Sequence, residues 1–177
     1  MSWILWLFQS IMALQTVGFA LLAGGLLALG AFTASGLFKT LPRQSAGLTM
    51  TKIFRAFDRF LSTTNVVLFT LQLLLDSVVS FLAKQLISAG YLQASVIKLG
   101  VMLAVSVLVL VYLKKNTQLE AMVGEQGEIF VDETTNNKAP FNQLHKQSEQ
   151  LSKLIFMGYL LLIIWNVLVP IQLFLVQ

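Results

Sequence analysis

The chain has 177 residues, of which 56% are hydrophobic and only 11% are charged, with a formal charge of +4 at pH 7. A soluble domain carries nearer 25% charge to cover its surface, and the mean hydropathy here is +0.78. That balance excludes a disordered chain, a disulfide scaffold and a typical soluble enzyme, and it leaves an all-α polytopic membrane protein. With no cysteine and a single histidine, His145, thiolate chemistry and a multi-histidine metal site within one chain are excluded as well.

The first stretch, Met1 to Phe38, carries no charged side chain. It lacks the basic opening of a secretory signal, so it reads as mature protein. A helix needs about 20 apolar residues to cross a bilayer. Four windows meet that, at roughly 16–38, 61–83, 92–113 and 155–175. The residues before the first window, with Trp3, Trp6 and Phe8, suit the membrane interface or a helical extension of the span.

Span one is rich in small residues. Ala20, Gly24, Ala28, Ala31 and Ser35 share one face, and Ala23, Gly30 and Ala34 form a second row. Such rows let helix backbones approach closely in lipid. The first reading is packing inside the four-helix bundle. The second is a packing face for another membrane chain. Gly24-Gly25 suggests a bend.

The loop expected at 39–60 opens with Pro42 and Gly47, which break the chain. From Met50, the residues Ile53, Phe54, Phe57 and Phe60 keep a helical period, with Lys52, Arg55 and Arg59 opposite. This predicts an amphipathic helix lying at the cytoplasmic interface, its basic row on anionic lipid headgroups.

Span two holds a polar stripe. Asn65, Gln72, Asp76 and Ser80 fall on one helical face, and Asp58 and Ser62 extend the line. In lipid such a stripe must face protein or water. Span three has one charge, Lys98. For an antiparallel hairpin turning near residue 87, residue numbers that sum to about 174 lie at equal depth, which sets Asp76 beside Lys98. Either charge alone would cost roughly 2.5–3.5 kcal/mol at mid-bilayer. A direct or water-bridged ion pair is therefore expected. It serves either to hold the hairpin in register or to carry an ion or proton.

The loop expected at 114–153 is acidic in its middle, with Glu120, Glu125, Glu128, Asp132 and Glu133. These lack calcium-loop spacing. The run 128–131 suits a short strand or turn. Pro140 opens a helix that places Phe141, Leu144, Ser148 and Leu151 in one band and runs into span four, where Pro170 introduces a kink. His145 reads as a surface or packing residue within reach of Asp58.

Ten of the twelve Lys and Arg residues fall in the 39–60 and 114–153 stretches, and only Lys84 and Lys98 fall elsewhere. By the positive-inside rule both stretches are cytoplasmic, and both termini face the other side of a plasma or thylakoid membrane. The same asymmetry accounts for the basic balance without nucleic acid.

Three segments carry a resemblance to a known family: LALGAFTASGLFKTLPRQSAGLTMTKIF, the following FRAFDRF, and FNQLHKQSEQL before the last span. With them the chain resembles the transmembrane-protein-205-like family, domain of unknown function 4149, in its cyanobacterial form. The resemblance implies a four-helix integral membrane domain and no defined activity. Residues on the family pattern are Phe54, Phe57, Asp58, Arg59, His145 and Ser148, with no role implied. A sulfur relay for metals has no support, because cysteine is absent and the six methionines form no cluster within a span.

The expectation is a non-enzymatic membrane protein without cofactor or metal. It would be a structural or accessory subunit packing with other membrane proteins or with itself. The alternative is a small transporter or ion-conducting protein with a path at Asn65, Gln72, Asp76 and Lys98.

Overall fold

The computed structural model describes residues 2–82, 89–122 and 138–168. Every described element is helical. The first rod is built from α1 (Ser2–Leu27), a π-helical turn (Ala28–Thr33) and α2 (Ala34–Thr40). Then follow α3 (Arg43–Leu82), α4 (Ala89–Ala121) and α5 (Lys138–Leu168). The first rod ends where Leu41 turns extended, at φ −115° and ψ 152°, as a residue before proline must. Pro42 then accepts the first hydrogen bond of α3, from the Ala46 amide at 2.9 Å.

Each of the four rods is long and apolar enough to cross a membrane. α1 and α4 each pack chiefly on α3 and α5. The rods therefore form a square, up-down-up-down in chain order, with α1 diagonal to α4 and α3 diagonal to α5. The end holding the Leu41–Pro42 connection is called the basic end below, and the end holding Ser2 the terminal end.

The buried residues explain the arrangement. They run Gln15, Phe19, Leu22, Leu26, Leu29 on α1 and its π turn. On α3 they run Leu61, Asn65, Leu68, Gln72, Leu75, Val79, and on α4 Lys98, Met102, Val105, Val109, Tyr112, Asn116. Steps of four and three alternate throughout. That is the 3.5-residue period of helices packed as a left-handed bundle. Phe19 stacks on Tyr159 of α5 at 5.9 Å. Three glycines let neighbouring helices close in: a Cβ at Gly18 would meet Leu68, one at Gly25 would meet Phe57, and one at Gly158 would meet Val105.

Several expectations change here. The row Ala20, Gly24, Ala28, Ala31 and Ser35 is exposed along its whole length, so packing inside the bundle is not its role. The reason lies on the opposite side of the rod, where larger Phe19, Leu22, Leu26 and Leu29 fill the core. Of the second row, Ala23 is buried, Ala34 half-buried and Gly30 exposed. The helix runs through Gly24-Gly25 without a break, and the irregularity comes at the π turn instead. There Thr33 Oγ1 donates to the Ala28 carbonyl, five residues back, at 3.1 Å.

The amphipathic stretch is helical, but it is the first part of α3 rather than a separate element, so the loop expected at 39–60 shrinks to Leu41–Pro42. α3 has 40 residues and is about 60 Å long. Likewise α4 continues to Ala121, past the double lysine Lys114-Lys115. The residues before the first window are helical from Ser2, as the extension reading has it. The 128–131 run, the connection near 87 and Pro170 lie outside the described residues.

Candidate functional site

The polar residues that α3 turns inward are Asp58, Asn65 and Gln72, seven apart and so about 10 Å apart in depth. Each gathers partners from other helices, which makes three polar layers across the bundle.

The layer nearest the terminal end contains Gln15, Gln72 and Lys98, which are 0%, 2% and 3% exposed. The Lys98 ammonium donates to Gln15 Oε1 at 2.8 Å and approaches Met12 Sδ at 3.4 Å. Gln15 Nε2 donates to Gln72 Oε1 at 3.1 Å and lies 3.4 Å from the Leu68 carbonyl. Gln72 Nε2 donates to both Asp76 oxygens at 3.0 Å. The cation thus reaches the anion through two amides, each accepting with its oxygen and donating with its nitrogen.

The orientation of those amides follows from the two ends. An ammonium can only donate and a carboxylate can only accept, so both dipoles must point the same way along the chain. Lys98 and Asp76 do belong to one polar group, but no direct ammonium–carboxylate contact joins them. The expected ion pair is an amide bridge instead. Its key member is Gln15, on the diagonal helix, which hairpin arithmetic between neighbouring spans does not reach. Beside this layer, Asn166 Nδ2 donates to Thr16 Oγ1 at 3.2 Å, which ties α5 to α1. Ser80 lies half-buried further along α3.

The middle layer is neutral. Asn65 donates to Ser106 Oγ at 2.9 Å and accepts from the buried Tyr159 hydroxyl at 3.0 Å. Ser106 in turn donates to the Met102 carbonyl at 2.8 Å. This layer joins α3, α4 and α5 across the diagonal.

The third layer lies toward the basic end. Asn116 Nδ2 donates to the Asp58 oxygens at 3.3 and 3.0 Å. Ser148 Oγ donates to Asn116 Oδ1 at 2.5 Å. Tyr112 is buried one turn before Asn116 on the same helix. Just beyond, Arg55 pairs with Glu120 at 3.2 Å on the exposed surface.

Of the residues the resemblance singled out, Asp58 and Ser148 meet through Asn116, and Phe57 packs on Gly25. His145 does not join them. It is exposed and stacks on Phe141 at 6.1 Å, because the face of α5 that turns inward passes through Ser148, three residues on. Lys52, Arg55 and Arg59 are exposed, as a headgroup-facing row would be.

Sequence reasoning missed Gln15, Ser106, Tyr112, Asn116 and Tyr159. Gln15 sits one residue before the first hydropathy window. Asn116 follows the double lysine that closes the third. The signal that finds Gln15, Tyr112 and Asn116 is the alternating three-and-four spacing itself. Among the described residues no three His, Cys, Asp or Glu side chains are grouped to hold a metal.

A family model described as domain of unknown function (DUF4149) matches residues 17–123. The matched stretch includes Asp58, Asn65, Gln72, Asp76, Lys98 and Asn116. Comparison with curated proteins and with solved structures returned no match.

Proposed function

The chain belongs to the domain of unknown function 4149 family, and from that premise we propose that it is a small structural or accessory subunit of a membrane assembly rather than an enzyme. The observation that carries this reading is the outward row on the first rod. Ala20, Gly24, Ala28, Ala31 and Ser35 are exposed, and nothing lies within 4 Å of a Cβ built at Gly24 or Gly30. In lipid, small residues at this spacing allow a second helix to approach. The partner is another membrane protein subunit or a second copy of the chain.

The finer parts of the reading rest on the sequence. Ten basic residues cluster in two stretches, which favours a cytoplasmic basic end and termini on the other side. Lys52, Arg55 and Arg59 face anionic headgroups. The three quoted segments favour a transmembrane-protein-205-like, cyanobacterial-type member in a plasma or thylakoid membrane.

Purification in mild detergent tests the central point. The wild type is expected to travel in a larger assembly. Gly24→Leu fills the outer face without touching the bundle, so it should release the chain from that assembly while leaving its thermal midpoint unchanged. A wild type that migrates as a lone chain, or a Gly24→Leu variant that stays in the assembly, counts against the accessory role.

A second reading, conduction, has its own support: Lys98, Gln15, Gln72 and Asp76 form one hydrogen-bonded line inside the bundle. On this reading a homo-oligomer in liposomes passes ions, and Asp76→Asn abolishes the flux without lowering the amount of protein inserted. Equal flux in both forms sinks it.

A further inference from the structure

The layer at Asp58 marks one level on all four rods. Asp58 is bonded to Asn116 and Asn116 to Ser148, while Gly25 of the first rod lies against Phe57. On three rods charge flanks that level: Arg55 and Arg59, then Lys114 and Lys115, then Lys146, Glu149 and Lys153. Charges gathered at one depth mark the edge of the hydrocarbon. From Arg59 to Phe81, α3 rises about 33 Å, enough to cross a hydrocarbon layer of about 30 Å. The register of the Gln15–Gln72 contact sets Trp6 level with Phe81, so the first rod makes the same crossing between Trp6 and Gly25. Hydropathy alone puts that span at 16–38. The remainder, from Leu26 to Thr40, continues for about 20 Å beyond the hydrocarbon, with no charge before Lys39.

That overhang keeps an apolar outer face. Leu27, Phe32 and Phe38 are 51%, 70% and 51% exposed. The hydroxyls among them turn back onto their own helix. Thr33 donates to the Ala28 carbonyl, Ser35 to those of Ala31 and Phe32, and Thr40 to that of Gly36, which leaves carbon facing outward. Contiguous apolar surface outside a bilayer marks a protein contact.

We propose that a second copy of the chain covers this face, first rod against first rod, about a twofold axis along the membrane normal; this rests on the accessory reading and names its partner. The outward row is continuous from Ala20 within the bilayer to Ser35 beyond it. Its occupant must therefore stay apolar and uncharged over the same distance, and an identical first rod has that length and composition. A twofold axis brings the same residues of both copies to the same depth, and an uncharged face meets no like-charge repulsion there. The face also carries both halves of a fit. Phe32 and Phe38 project, while Gly30 and Gly36 are bare backbone with nothing within 4 Å of an added Cβ. Phe32 of one copy seats over Gly36 of the other, and by symmetry the reverse.

The test uses a chain that has no cysteine of its own. In membranes treated with a mild oxidant, Ala31→Cys and Ser35→Cys are expected to link into a disulfide dimer of twice the chain mass. Lys52→Cys, exposed on α3, should stay single. Gly36→Leu fills the gap without touching the bundle. Added to Ala31→Cys, it should cut the linked fraction about tenfold and leave the thermal midpoint unchanged. No dimer from either cysteine overturns the proposal. So does a dimer that forms equally from Lys52→Cys, or one that survives Gly36→Leu. Linking is read in the membrane, separately from migration in detergent. A wild type that travels in a larger assembly while neither cysteine links keeps the accessory role and gives the face to a different protein.

Discussion

Gln15→Leu is expected to destabilise the bundle by about 3 kcal/mol, read as a loss in unfolding free energy in detergent. Gln15 is fully buried and, among the described residues, is the sole amide acceptor of the Lys98 ammonium. Neutral hydrogen bonds between membrane helices are worth only about 0.6 kcal/mol on average, so an ordinary glutamine would matter little. This one differs because its loss leaves a buried cation facing a thioether, a weak acceptor. The cost of a buried ammonium left without its hydrogen-bond acceptor dominates.

That reasoning fixes a second outcome. Lys98→Met in the Gln15→Leu background removes the stranded charge and should restore most of the lost stability. A double variant no more stable than Gln15→Leu alone would show that the ammonium is not what Gln15 serves.

The second large effect is steric. In Gly158→Ala the new Cβ falls 2.4 Å from Val105 Cγ2. Val105 is 3% exposed and β-branched, with one strongly preferred rotamer on a helix, so it cannot turn aside. α4 and α5 must part, at a cost of about 1–3 kcal/mol. Gly25→Ala meets Phe57 Cε2 at 2.3 Å, but that atom is the far end of a half-buried side chain with two rotatable bonds, so the loss should be smaller. Gly24→Ala should be neutral. Unfolding free energies for the three variants test the order, and equal losses at Gly24 and Gly158 would refute it.

These two predictions also mark what could be read from the sequence. The four rods were legible because lipid imposes length and apolarity on any span. The stripe at Asn65, Gln72 and Asp76 was legible because polar groups there cannot face hydrocarbon. Chain arithmetic placed Asp76 and Lys98 in one group because consecutive rods are antiparallel. The contacts Asn65–Ser106 and Asp58–Asn116 keep nearly the same register.

The rest was hidden for physical reasons. Gln15 serves Lys98 across a diagonal, and depth rules for neighbouring helices say nothing about diagonals. Span one is apolar all round, so hydropathy could not tell its small outward row from its large inward one. Asn116 and Tyr112 sit beside a double lysine that ends the apolar window, although the helix continues through it. His145 was matched to Asp58 by depth, but its facing on α5 is set by Ser148 and Ile155, which take the inner side.

The π-helical turn carries a consequence of its own. Such a turn holds one residue more than the α-turn that would replace it. Counted along the chain, the first rod is an α-helix with a one-residue insertion between Ala28 and Thr33. Before the turn, Leu22 and Leu26 face the core, within it Leu29 does, and after it Ala34 and Leu37 are half-buried. A chain shorter by any one residue of that turn would wind as plain α-helix with both flanks keeping their sides. The same deletion among Phe19–Leu26 would rotate everything beyond it by about 100°. Here the rod's length is uncoupled from its facing, and a deletion leaves the fold intact.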